Sequence, residues 1–288
     1  MATHAPRIGL VQLHITEGCT PTDQYERAAA FIKTAAKDGA DLVVLPEMAF
    51  GLSPPTEPEK DGFASENWKC IGKLQQLAKA LNINIIPGSS LEADRDDAGK
   101  VLHYYNTTYY IDRHGDIKLR YRKVNLWGPE KQAVSAGTEH AVVDTEEFGK
   151  IGLLICWDLA FPEAFRALVK QGARYIFIPT LWRSPDCGEK GLAYNKASEH
   201  IFINSTIATR AFEQNACIVF CNTGGTDADV YFGCSQITLP FKGPIVKLSG
   251  TEQVSVVEVA LGSILEDAEE VWNIREELAS PNWYPATW

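Results

Sequence analysis

Cys156 stands between a short apolar run, residues 151–155, and a Pro162-Glu163 pair followed by Phe165, Leu168 and Val169 at helical spacing. The pattern predicts a buried strand that turns into a helix, with the cysteine at the turn. Backbone N–H groups without carbonyl partners gather at such a place, and the positive end of the helix favours a thiolate or an oxyanion. A nucleophile fits there, and so does a plain core cysteine, since free cysteine is among the most buried residue types. Two further strand ends carry complementary chemistry. Residues 41–47, Asp-Leu-Val-Val-Leu-Pro-Glu, read as a buried strand ending in the Glu47 carboxylate, and Tyr121-Arg122-Lys123-Val124-Asn125 puts Lys123 between a strand and an aromatic-rich loop. A carboxylate base, an ammonium and a thiol held together could attack a poorly electrophilic carbonyl carbon and hold the charge that develops.

Bringing three strand ends to one place is a demand on the whole chain. Residues 8–13 read as a buried strand, and Tyr25, Ala28, Ala29, Ile32, Ala35 and Ala36 mark the inner face of a helix between Thr20-Pro21 and Gly39. Pro54, Pro55 and Pro58 predict a surface loop over 51–62, and Trp68, Ile71, Leu74, Leu77, Ala78 and Leu81 a helix, before a strand over 83–88. The charged stretch 92–100 reads as a solvated loop. Strands over 101–111 and 117–121 flank Arg113-His-Gly-Asp116, a hairpin signal.

Residues 127–137 are irregular and hold Glu130. Beyond them the pattern predicts strands over 141–144 and 174–179, a loop over 181–188, a helix over 197–215 and a strand over 217–222. Strands over 231–239 and 254–259, a helix over 263–278 and an aromatic tail ending at Trp288 complete the chain. Alternating strands and helices around an antiparallel middle predict a layered α/β fold with more than one sheet. No linker or repeat divides it, so residues 1–288 are expected to form one domain.

The polar strand ends carry a family resemblance. Leu-Pro46-Glu47, Tyr-Arg-Lys123-Val-Asn-Leu and Gly-Leu-Leu-Ile-Cys156-Trp-Asp resemble the glutamate, lysine and cysteine motifs of the nitrilase superfamily of carbon–nitrogen hydrolases, in the same order and at intervals of 76 and 33 residues. Glu130 is similar in place to a second glutamate of many members, and Glu213 and Asn222 to structural landmarks. The chain resembles fungal-type amidase or nitrilase-like members most. The resemblance implies a four-layer α-β-β-α sandwich, no metal or organic cofactor, and pairing of subunits into a homodimer or higher homo-oligomer. It implies that Cys156 attacks a small amide or N-carbamoyl compound through a thioester, with Glu47 as base and acid, Lys123 and the Trp157 N–H as oxyanion donors, and Glu130 orienting substrate or Lys123. Phe50, Trp127, Trp157 and Trp182 are candidate substrate-binding residues.

Three rival readings stay open at this level. A true nitrilase would use the same triad on a nitrile, although Asp158 stands where nitrile-cleaving members often carry Glu. A papain-like hydrolase would need His140 or His200 as base, and neither lies in a recognisable motif. A silent binding protein could keep the fold without turnover.

Composition bounds the partners. Hydrophobic residues make up 45% and charged residues 22%, which describes a globular chain. A net charge of -10 argues against nucleic acid or an anionic membrane as partner and leaves a small molecule. The N-terminal residues lack a basic, apolar leader pattern, and seven cysteines without Cys-x-x-Cys pairs suggest reduced thiols, so a cytoplasmic protein is expected.

Overall fold

Strands β1 (Arg7–Gln12), β2 (Leu42–Val44) and β3 (Asn84–Ile86) run parallel side by side, each a short apolar run buried on both faces. They form the centre of a seven-stranded sheet in a computed structural model that describes residues 5–52 and 56–280. β13 (Gln253–Glu258) closes one edge antiparallel to β1. On the other side β5 (Val101–Ile111) pairs with β3, with β4 (Ser89–Arg95) and, through the expected hairpin, with β6 (Ile117–Arg122).

The second sheet has six strands. Its order is β12 (Gly243–Lys247), β11 (Gln236–Leu239), β10 (Cys217–Cys221), β9 (Tyr175–Pro179), β8 (Gly149–Leu153) and β7 (Val142–Thr145), with β8, β9 and β10 parallel.

Side-chain alternation decides what each face meets. Ile8, Leu10, Leu42, Val44 and Ile86 point into a core shared with Phe177, Val219 and Leu153 of the second sheet. Val11, Val43, Leu45 and Ile85 point the other way, against Ala28, Ile32 and Ala35 of α1 (Pro21–Lys37) and Ile71, Leu74 and Ala78 of α2 (Glu57–Leu81). The second sheet is covered by α3 (Pro162–Lys170), α5 (Ser198–Glu213), α6 (Ile264–Trp272) and α7 (Ile274–Ala279). The result is helix, sheet, sheet, helix: the four-layer α-β-β-α sandwich.

Several local expectations change. The loop over 51–62 is shorter, because α2 begins at Glu57 and proline is tolerated in a first helical turn; Pro54 and Pro55 lie outside the described residues. Glu92 to Arg95 belong to β4 rather than to a loop. Their charges are absorbed across the sheet, Glu92 pairing with Arg122 at 2.6 Å and accepting from Thr107 Oγ1 at 2.6 Å. The strand expected from 231 starts only at Gln236, after Gly233 and Cys234 with positive φ, and β12 was not anticipated. A short helix α4 (Gly188–Tyr194) follows the loop after β9. The final helix divides at Asn273, whose φ of 52° ends α6 in a left-handed cap, and the aromatic tail over 281–288 lies outside the described residues.

Candidate active site

The C-terminal ends of β2, β6, β8 and β9 converge where the two sheets face each other. After β2 the chain runs through Leu45 and Pro46 to Glu47, held by Leu45 N–H donating to Ile86 O at 3.0 Å. The facing backbone allows no side chain: Gly88 has φ +73°, and a Cβ there would lie 1.9 Å from Pro46 O. Lys123 follows β6 with its N–H still in the ladder, donating to Asn106 O at 2.9 Å, and its carbonyl accepts from Gly137 N–H at 2.8 Å. Glu130 sits in a 3₁₀ turn, Gly128–Gln132, where its carboxylate accepts the Trp127 N–H at 2.9 Å.

Cys156 opens another 3₁₀ turn, Cys156–Ala160, separated from β8 by Leu154 and Ile155 and just before α3, so the strand-to-helix expectation gains an intervening turn. Its φ is +45°, a left-handed conformation that an L-residue occupies only when its surroundings enforce it. Those surroundings centre on the Asp158 carboxylate, which is fully buried and accepts from Tyr121 OH at 2.7 Å, Ile155 N–H at 2.9 Å, Asn125 N–H at 2.9 Å and Asn125 Nδ2 at 2.8 Å. From the other side Arg210 of α5 donates to Leu159 O and Ala160 O at 3.1 and 3.2 Å and pairs with Glu213 at 2.6 Å. The turn is therefore pinned to the Lys123 segment and to a helix at once. The Trp157 N–H lies in the first turn, where intrahelical acceptors are lacking, and it donates to no group among the described residues.

The polar centre is dry and tightly bonded. Lys123, 1% exposed, reaches Glu47 Oε1 at 2.9 Å and Glu130 Oε2 at 2.6 Å. Asn106, on β5 and fully buried, donates from one amide nitrogen to both carboxylates, at 2.8 Å to Glu47 and 2.9 Å to Glu130. Two acceptors on one side dictate that the NH₂ faces them, and Asn106 Oδ1 meets no donor among the described residues. The Leu181 N–H, after β9, donates to Glu47 Oε2 at 3.0 Å. Cys156 Sγ lies 3.8 Å from Leu181 O, with the Glu47 carboxylate also in hydrogen-bonding reach.

Burial raises the Glu47 pKa above the usual carboxylate value, although Lys123 pulls it down. Burial and the Glu47 and Glu130 charges push the Cys156 thiol well above its ordinary value, outweighing Lys123. For Lys123 burial acts downward, but Glu47, Cys156 and Glu130 together drive its pKa up. These directions favour the protonated thiol and the charged ammonium, with Glu47 beside the thiol as the group in reach of its proton.

These groups open on a cavity of about 200 Å³, whose walls include Met48, Leu52, Trp127, Trp157, Leu181 and Trp182, with Arg183 and Asp186 at the loop after β9. Its size suits a small substrate. Glu47, Lys123, Glu130, Cys156 and the three tryptophans are thus brought together as expected. Phe50 is not: it is fully buried among Leu13, Ile32 and Ala49 in the helix-side core, because it points away from the cavity. His140 and His200 do not line the cavity either. His140 packs 5.7 Å from the Tyr121 ring and His200 6.1 Å from the Phe232 ring, so neither can serve as a papain-type base.

Asn106, Asp158 and the Leu181 N–H went unassigned in the sequence. Asn222, one of the expected landmarks, accepts from Trp182 N–H and donates to Trp182 O, both at 2.9 Å. Among the described residues no group of three or more His, Cys, Asp or Glu side chains could hold a metal ion.

The sequence model described as carbon-nitrogen hydrolase matches residues 7–268. A 2-oxoglutaramate amidase of Bacillus subtilis is 27% identical over 277 residues, covering 94% of each chain. The human omega-amidase NIT2 is 27% identical over 287 residues, again 94% of each. Among solved structures, a carbon-nitrogen hydrolase from Helicobacter pylori superposes with a TM-score of 0.82 over 95% of both chains at 20% identity.

Proposed function

The chain belongs to the carbon–nitrogen hydrolase family, and from that membership we propose that it is an amidase using Cys156 as nucleophile and Glu47 as its base. The observation that carries this reading is the Lys123 ammonium buried between Glu47 and Glu130 beside the Cys156 thiol.

Cys156 Sγ attacks the amide carbon while its proton passes to Glu47. The carbonyl electron pair moves to oxygen, which lies against the Lys123 ammonium and the Trp157 N–H. Glu47 gives its proton to the departing nitrogen, the C–N bond breaks, and ammonia or an amine leaves a thioester. Water then yields a proton to Glu47 and attacks the thioester carbon. Collapse releases the acid, and the proton returns to sulfur. Glu130 orients Lys123 through the 2.6 Å ion pair, and Trp127, Trp157 and Trp182 face the acyl group.

An amide is favoured over a nitrile by the relatives named amidases. Asp158 has no part in that choice, since its carboxylate is spent on the turn and lies outside the cavity lining. The test is ammonia release from primary amides, N-carbamoyl compounds and nitriles, with Cys156→Ala beside the wild type. Release from nitriles alone refutes the amidase.

The protein acts as a single carbon–nitrogen hydrolase domain over residues 1–288, paired as a homodimer in the cytoplasm. Exposed apolar Ile201 and Phe202 on α5 and Val271 on α6 support pairing, and seven free cysteines support a reducing compartment. No helix among the described residues is long and apolar enough to cross a membrane. A monomer mass by light scattering refutes the dimer, and fluorescence of the tagged chain confined to another compartment refutes the cytoplasm.

A further inference from the structure

One wall of the cavity is held from behind. Trp182, 4% exposed, lines the cavity, and its indole N–H donates to the Glu199 carboxylate. Glu199 belongs to the first turn of α5 and lies outside the cavity lining. Acids are common in a first helical turn, where the helix dipole favours them in water. This one differs: burial raises its pKa, and the Trp182 N–H acts against that rise. The same carboxylate has the Cys187 thiol in hydrogen-bonding reach. Glu199 thus ties α5 to both ends of the segment 182–187, which supplies Trp182, Arg183 and Asp186 to the cavity.

The other contacts of Trp182 leave its ring free to turn. Asn222 holds the main chain through two hydrogen bonds of 2.9 Å, to the Trp182 N–H and from the Trp182 carbonyl's side, but neither reaches the indole. The ring centroids of Trp157 and Phe202 lie 5.2 and 5.6 Å away, apolar contacts that are not directional. Phe202 and Glu199 are three apart on α5 and share a face, so one helix offers the indole both a ring and an acceptor. Only the acceptor fixes which way the N–H edge points. Leu181, one residue earlier, donates its N–H to Glu47 Oε2 at 3.0 Å from the main chain that Asn222 steadies. The indole can therefore move while Glu47 keeps its place.

We propose that Glu199 is a positioning residue for acyl selectivity, locking the Trp182 indole in the orientation that shapes the wall the acyl group packs against. This rests on the amidase reading above. Glutamine keeps an acceptor oxygen for the indole N–H, and alanine removes it.

The experiment measures kcat and KM by ammonia release from acetamide, butanamide and hexanamide, in wild type, Glu199→Gln, Glu199→Ala, Trp182→Phe, the Glu199→Ala/Trp182→Phe double variant and Cys156→Ala. Wild type is expected to spread the three amides over at least ~30-fold in kcat/KM, and Glu199→Ala to narrow that spread by ~10-fold, mainly through KM. Glu199→Gln keeps it. The double variant matches Trp182→Phe, because with the donor gone the acceptor has nothing left to hold. The spread is a ratio within one preparation, so loss of folded protein cancels and a merely structural role leaves it unmoved. A wild type indifferent to acyl length overturns the positioning role and leaves the amidase standing. So does a spread unmoved by Glu199→Ala, an equal narrowing in Glu199→Gln, or a double variant that goes beyond Trp182→Phe. No Cys156-dependent release from any of the three amides overturns both readings.

Discussion

On the proposed mechanism Glu47 must be ionised to take the Cys156 proton, so the acid limb of kcat/KM is expected to report its titration. Burial raises that pKa, which places the limb above the ordinary carboxylate range. Asn106 works in the opposite direction, since a donor to the charged form stabilises it. Asn106→Leu removes that donor, and the limb is expected to move to higher pH, a displacement that loss of stability alone does not produce; an unmoved limb refutes the role. Cys156→Ala is expected to lower turnover by at least ~10³-fold with thermal melting retained, whereas a merely structural cysteine would lose stability instead. Glu47, Lys123 and Cys156 were legible because each follows a recognisable strand, an apolar run for Glu47 and Cys156 and an alternating one for Lys123. Asn106 was not, since it lies inside a strand pattern with no motif of its own and its partner Glu47 lies 59 residues away. Phe50 misled for a related reason: proximity to Glu47 along the chain says nothing about which face of the backbone it takes.

Among the elements, the turn 156–160 governs the site more than any strand. The Asp158 carboxylate ties it to Tyr121 and Asn125, which bracket Lys123, so Cys156 and Lys123 share one anchor. Asp158→Ala would orphan four donors, those of Tyr121 and Ile155 buried and the two of Asn125 half-buried, and is expected to destabilise by ~3 kcal/mol or more in denaturant unfolding, with turnover lost in the folded fraction. Asp158→Asn keeps one acceptor oxygen and should fall between; equal stability of Asp158→Ala and wild type would refute the anchor. Gly88→Ala should likewise displace the Glu47 segment, because Pro46 O occupies the space a Cβ needs, and a crystal structure of the variant would read the shift. Buried strands such as β2, β9 and β10 were legible as apolar runs bounded by turn residues. β4 escaped because its charges are neutralised by β6, a partner that composition alone cannot supply.

Across the whole molecule, the groups that build the site come from both sheets: Glu47, Asn106 and Lys123 from one, Cys156, Asp158 and Leu181 from the other. The antiparallel middle signalled more than one sheet, but the pairing of β13 with β1 stayed hidden, because Arg7 and its partner Glu258 lie at opposite ends of the sequence. The interface between sheets is sealed partly by thiols, Cys221 donating to Val11 O and Val44 O of the first sheet at 3.4 and 3.3 Å. Burial raises Cys217 and Cys221 far above the thiol range, and Cys70 under α1 is pushed up to about 11. In the unfolded chain all three release protons near pH ~8.5. Above that pH the unfolded state therefore binds fewer protons than the native one, so stability falls as pH rises. Lys123 adds the same sign, because its native pKa is raised: its contribution is complete below the ordinary lysine value and is lost as pH climbs through the native one. Melting temperature is expected to decline from about pH 8 to about pH 11. Cys217→Ala, which removes a thiol raised by burial alone, should make that decline shallower even if it lowers stability at neutral pH. A melting temperature that stays level across the range would mean that these thiols titrate in the native state and that the space between the sheets is open to water.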